Sequence, residues 1–258
     1  MDFGFNFGFS QRQQLGGGGL GPIPDMPVTF LGDFDADDGV TVTGALVETW
    51  PNNGSIAAAS ATLINNGGAN RPTLVTADAD FNGHNSVSFN GSNHLYDNGH
   101  SLAAAVWNVD AKHCFLVLSI ETYGTSRYVF NDGTPVFGLR TDSGGDGLEA
   151  FNQDSGGVDT TPNIAVPAAS TPCLVEILHT GGNLSIKVDA GSYQTSASGN
   201  TAGAGFGTYL EVGHSADGAG TKLTGKIARM IFHDTVLTGQ DLLDVRENLG
   251  RTYGVTYI

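Results

Sequence analysis

The chain has 258 residues, of which 38 are glycine and only 14% are charged; 26 acidic side chains stand against 11 basic ones, a formal charge of −15. Glycine costs a helix roughly 1 kcal/mol per residue, so this composition excludes a mainly helical protein and suits short strands joined by tight turns within one large all-β domain. The acidic balance repels phosphate, which speaks against nucleic acid and anionic lipid as partners, and no run approaches the ~18 apolar residues of a membrane-crossing helix.

Residues 1–26 differ from all that follows. Phe3, Phe5, Phe7 and Phe9 alternate with Gly4, Asn6 and Gly8, a period of two that sets all four rings on one side of an extended strand. Gly16–Gly19 reads as a hinge, and Pro22 and Pro24 favour an extended path. The opening MDFGFNFGFS lacks the basic start and unbroken apolar stretch of a secretion leader, so assembly in a cytosol is expected. A lone strand cannot bury an aromatic face. Either the segment is a tail without a fixed partner, or it is an arm that adds to a sheet edge or groove on a neighbouring subunit. Burial of four rings at ~1.5–3 kcal/mol each favours the arm, and with it a homo-oligomer or a larger assembly.

From Pro27 onward, β-like runs follow one another: VTF (28–30), ALVETW (45–50), TLVTA (73–77), SVSFN (86–90) and HCFLVLSIET (113–122). Then come RYVFND (127–132), PVFGLR (135–140), GLEAF (147–151), CLVEILHT (173–180), NLSIKVD (183–189), YLEVGH (209–214) and KIARMIFHD (226–234). Turn chemistry such as NNG, NGG, NDG and HTGGN separates them. Cys114 and Cys173 sit inside apolar runs and read as buried, reduced thiols.

A helix is expected over 238–253. Thr238 is placed to cap it, with Asp241 completing an acidic capping box. Leu242, Val245, Leu249 and Tyr253 recur at helical spacing, and Gly254 can end it. More than ten strands and one helix, without strand–helix alternation, predict an all-β sandwich or jelly roll over residues 27–258, with the helix outside a sheet or across one end.

Several segments also resemble LamG-like, concanavalin A-like jelly-roll domains. Asp35–Ala36 precedes a strand ending in Trp50; Arg71, Pro72 and Thr73 and the turn from Phe89 to Ser92 follow; a closing strand and helix end at Tyr253–Gly254. The resemblance covers residues 30–258 in order, although 100–210 match only in strand rhythm. It implies a concanavalin A-like β-sandwich. Such domains behind a Gly/Phe-rich leader look like structural proteins of tailed bacteriophages. The resemblance thus implies a non-enzymatic virion protein that decorates a capsid or belongs to a tail, collar or baseplate, contacting other virion proteins through its arm.

Residue chemistry leaves two further classes open. Glycoside hydrolysis with retention needs two carboxyl groups about 5–5.5 Å apart, and jelly-roll glucanases hold them as Glu-x-Asp-x-x-Glu. The six glutamates, at 48, 121, 149, 176, 211 and 247, form no such motif. A lectin-like site for a cell-surface glycan needs aromatic platforms beside hydrogen-bonding groups, which Tyr96, Trp107 and Tyr123 with Asn93 offer near expected loops. Asp33, Asp35 and Asp37 cluster oxygens that could hold calcium in a loop. An EF-hand is excluded, because Asp38 and Gly44 stand where its glycine and glutamate belong.

Overall fold

Alternating apolar residues and glycine-rich turns produce nineteen strands in the computed structural model, which describes residues 21–56, 61–65, 70–97, 102, 111–124, 126–132, 137–145, 147–153, 159–165, 167–180, 182–197, 209–214 and 221–258. The first are β1 (Gly32–Asp35), β2 (Thr41–Thr43), β3 (Leu46–Trp50), β4 (Leu63–Ile64), β5 (Thr73–Asp78), β6 (His84–Asn90) and β7 (Leu95–Asp97). The middle of the chain forms β8 (Lys112–Ile120), β9 (Arg127–Asn131), β10 (Phe137–Thr141), β11 (Gly147–Gln153), β12 (Asp159–Thr160) and β13 (Asn163–Ala165). Then come β14 (Cys173–Thr180), β15 (Asn183–Val188), β16 (Gln194–Ala197), β17 (Glu211–Val212), β18 (Thr221–Lys222) and β19 (Thr224–His233), followed by helix α1 (Gly239–Tyr253).

These strands form one hydrogen-bonded sheet folded into two layers. The first layer runs β5–β6–β19–β8–β14–β15–β16, antiparallel throughout. β1 pairs with the C-terminal half of β19, on the edge that β6 occupies further along. The second layer runs β3–β4–β7–β17–β9–β10–β11–β13. β3 also meets β5 at Leu46 and Thr73, joining the layers. The fold is an all-β, concanavalin A-like jelly-roll sandwich with a C-terminal helix.

β8 is buried at all nine positions because both its faces are covered. Cys114, Leu116, Leu118 and Ile120 point between the layers, whereas Phe115 and Val117 point outward beneath α1. Val245, Leu249 and Tyr253 of the helix pack on them and on Leu174, Ala228 and Ile231, making a second core. A register shift between Ile227 and Arg229 leaves Ala228 as an extra residue in β19, so that Ala228 and Arg229 lie on the outer face together. Arg229 thereby reaches Asp33 and Asp35.

Both cysteines are free, and burial pushes the Cys114 thiol up to about 12. Gly254 ends α1 in the left-handed region at φ 70°. The start of the helix departs from expectation: Thr238 occupies the cap position in extended conformation, but its side chain makes no capping hydrogen bond. The strand expected at 28–30 does not form either. Phe30 turns under α1 into the second core, and its carbonyl accepts from Ser55 N at 2.7 Å.

Phe3, Phe5, Phe7 and Phe9 lie outside the described residues, as does Trp107. Residues 21–26, assigned to the arm by composition, run along α1. Pro24 O accepts from Asn248 Nδ2 at 2.7 Å and Pro22 O from Arg251 Nη1 at 3.0 Å, and Met26 packs against the second core.

Candidate functional site

Strand register decides what the outer face of the second layer carries. The cross-strand row Leu95, Val212, Phe130, Leu139 and Ala150 points into the core. The neighbouring row, Tyr96, Glu211, Asn131, Gly138 and Phe151, therefore points away from it. By the same alternation His94 shares a face with Tyr96, and Tyr209 with Glu211. These four side chains line a pocket of about 300 Å³, at the small end for a ligand site.

Its electrostatics follow from partial burial beside charge. Burial, with His214 and Lys222 nearby, pulls the His94 imidazole down to about 4, so it is neutral at physiological pH. The His94 and His214 rings lie 5.1 Å apart, and His94 Nδ1 has no hydrogen-bond partner among the described residues. Burial also raises the Tyr209 phenol, helped by the negative charge of Glu211 and Asp132. Asn131 Nδ2 donates to His214 O at 2.5 Å and holds that end of the pocket.

Farther across the same face, the Arg140 guanidinium lies 4.8 Å from the Phe151 ring centroid and 5.8 Å from that of Tyr128. Arg140 pairs with Glu149, and Phe151 is fully buried. Gly138 makes this possible, because a Cβ there would meet the Phe151 ring at 2.7 Å. That region is packed shut, and the pocket lies beside it.

The glutamates divide in the same way. Glu48 pairs with Arg71, Glu149 with Arg140, Glu176 with Arg246 and Glu247 with Arg251. Glu121 is exposed, and Glu211 lines the pocket. No second glutamate joins it there among the described residues, so the carboxylate pair of a retaining hydrolase is not assembled from glutamates.

Of the residues expected to bind a glycan, Tyr96 lines the pocket. Asn93 lies beneath its edge as a turn brace: its Nδ2 donates to Arg71 O at 2.6 Å and its Oδ1 accepts from Asn90 N at 2.9 Å. Tyr123 packs against the main core, where burial raises its phenol. The oxygens of Asp33, Asp35 and Asp37, expected as a candidate calcium cluster, are engaged by protein groups. Asp33 accepts from Arg229 Nε and Nη2 at 2.9 and 2.7 Å, Asp35 accepts from Tyr253 OH at 3.1 Å, and Asp37 contacts His84 Nδ1 at 2.5 Å. Their oxygens tie β1 to β19 and α1, and no group of three or more potential metal ligands occurs among the described residues.

His94, Tyr209 and Glu211 were not singled out in the sequence. Their signal is the alternation in YLEVGH, where Leu210 and Val212 face the core and Tyr209 and Glu211 the other side.

No protein-family model matches the sequence, and no curated protein sequence does. Solved structures with the same architecture do exist. A Trypanosoma rangeli sialidase in complex with sialic acid superposes with a TM-score of 0.58 at 14% identity, over 88% of this chain and 34% of that one. The botulinum neurotoxin serotype D/C binding domain gives 0.51 at 10% identity, over 85% of this chain and 52% of that one. A Ruminococcus gnavus IT-sialidase CBM40 bound to α2,3-sialyllactose gives 0.50 at 13% identity, over 62% of this chain and 95% of that one. The chain thus spans about a third of the length of the sialidase. At these identities the likeness is one of fold, and by fold this chain is similar to the jelly-roll-like domains of sialidases, carbohydrate-binding modules and toxin binding domains.

Proposed function

We propose that this protein is a lectin-like, carbohydrate-binding module whose ligand occupies the pocket of His94, Tyr96, Tyr209 and Glu211. The observation that carries this reading is the composition of the pocket: two tyrosine rings, a neutral imidazole and a carboxylate on a rigid sheet. A sugar ring offers apolar C–H faces to aromatic side chains and hydroxyls to hydrogen-bonding groups, and this set matches both. The carbohydrate-binding module among the similar folds, bound to a sialylated sugar, supports the same ligand class. The test is a glycan array with the full chain, followed by calorimetry on the hits. Selective binding that Tyr96→Ala and Tyr209→Ala abolish without lowering Tm supports the reading. An array without a selective hit overturns it.

A second reading concerns display. Residues 21–24 lie along α1 on the outer face of the first layer, opposite the pocket. Gly21 thus stands on the side away from the pocket, which suits attachment to a particle or to neighbouring subunits through Phe3, Phe5, Phe7 and Phe9. The virion role implied by the phage-protein resemblance belongs to this reading. Light scattering of the full chain against one starting at Gly21 tests it: association of the full chain alone supports an intermolecular arm, and two monomers refute it.

A further inference from the structure

The outward side of α1 carries apolar surface that stays in contact with solvent. Val245, Leu249 and Tyr253 occupy the inner side of the helix, and Leu243 is 46% exposed on the other. Tyr257 packs against Gly250, where an added Cβ would collide with its ring, and Ile258 is 79% exposed. With Gln240 and Glu247 these side chains line a groove of about 310 Å³. Its polar side chains are engaged within the helix: Gln240 Nε2 donates to Asp244 Oδ1 at 2.6 Å, and Arg251 Nη1 to Glu247 Oε1 at 3.0 Å. The surface left for binding is mainly apolar.

Resting on the reading of an intermolecular arm, we infer that this groove is the seat of Phe3, Phe5, Phe7 and Phe9 from a second copy of the chain. The dimensions agree. Residues 3–9, if extended, span ~20 Å at ~3.3 Å each, and the 15 residues of α1 span ~22 Å at ~1.5 Å each. Rings two residues apart stand ~6.6 Å from one another, close to the ~6 Å rise between helix residues four apart, such as Leu243 and Glu247.

α1 already holds one stretch of non-helical chain, because Asn248 Nδ2 and Arg251 Nη1 donate to the carbonyls of Pro24 and Pro22. The course of that stretch favours a neighbour as donor. From Pro24 back to Gly21 it passes from Asn248 to Arg251, towards the C-terminal end of α1, whereas the groove extends the other way to Gln240. A copy's own arm is thus directed out of the groove. Each copy has one arm and one groove, so a twofold pair exchanges arms reciprocally and closes. A body at −15 repels another like itself, but residues 3–9 carry no charge and can cross between two such bodies.

Light scattering of the full chain over a concentration series tests the seat. The full chain should associate, and Leu243→Glu, at an exposed position, should weaken that association by at least about tenfold in Kd without lowering the Tm of a chain starting at Gly21. Phe5→Ser with Phe7→Ser should cause a matching loss, and combining both sets should add little, since they break one contact. Fully additive losses would place the rings elsewhere and overturn the inference. Association that Leu243→Glu leaves intact overturns it too, while the intermolecular arm stands. A full chain that is monomeric at every concentration overturns both; if Leu243→Glu then lowers Tm only when residues 1–20 are present, the arm folds back on its own copy.

Discussion

The two outer faces of this sandwich are built from the same alternation of strand residues, yet they end in opposite states. On the first layer α1 closes over Phe115, Val117, Leu174 and Ile231, and the polar residues there are drawn into a clamp. Glu176, 1% exposed, accepts from Arg246 Nε and Nη2 at 2.6 and 2.8 Å and from Tyr193 OH at 2.7 Å. On the second layer no described helix covers the row from Tyr96 to Asn131, and a pocket stays open. The helix packed on one face adds stability there, and the pocket lies on the other.

The largest test of this division is Arg246→Ala. It leaves the Glu176 carboxylate buried without its guanidinium and should cost about 3–5 kcal/mol, read as a lower Tm in calorimetry. Glycan affinity of the folded protein should be unchanged; a parallel loss would show that the two faces are coupled. Next, Tyr96→Ala or Tyr209→Ala should weaken glycan binding by about tenfold or more, with stability altered by no more than ~0.5 kcal/mol. A large drop in Tm would instead make these rings structural.

The pH dependence should separate His94 from Glu176 by window, both losing stability as the pH falls. His94 is depressed from 6.5 to about 4, so between those values the unfolded chain binds more protons than the folded one. Stability should therefore fall as the pH drops from 6.5 towards 4, and buried His113, also depressed, acts in the same direction. Glu176, held down at about 2 by its hydrogen bonds to Arg246 and Tyr193 and by nearby His113 despite burial, contributes stability above 4.5 that is lost only as the pH falls towards 2. Urea denaturation at pH 7, 5.5 and 4.5 should show the first slope, flattened by His94→Gln. The smallest effect belongs to Thr238→Ala. A capping threonine usually contributes about 0.5–2 kcal/mol, but without a capping bond this one should change stability by less than ~0.5 kcal/mol.

Short-range chemistry made much of this legible beforehand. Cys173–Thr180 reads as a strand at its observed ends, because Cys173, Val175 and Ile177 alternate as apolar core residues and HTGGN turns it back into β15. Gly254 reads as a helix end because the left-handed residue required there suits glycine. Strands of two residues, such as β4, β12 and β18, were not separable in the sequence, since their pairing depends on distant partners and not on their own pattern.

The candidate site shows the same limit. Tyr96 was legible as an aromatic group near polar residues, but nothing local joins it to Glu211, 115 positions away, until β7 and β17 pair. Likewise, Asp33, Asp35 and Asp37 read locally as a cluster of oxygen ligands, and only the extra residue in β19 brought Arg229 to the first two. By itself the sequence determined the all-β class, the long strands and the closing helix, because each depends on contacts within a few residues. Which carboxylates meet an arginine and which lie at the pocket was decided only by tertiary structure, because charge pairing and register join residues the chain keeps far apart.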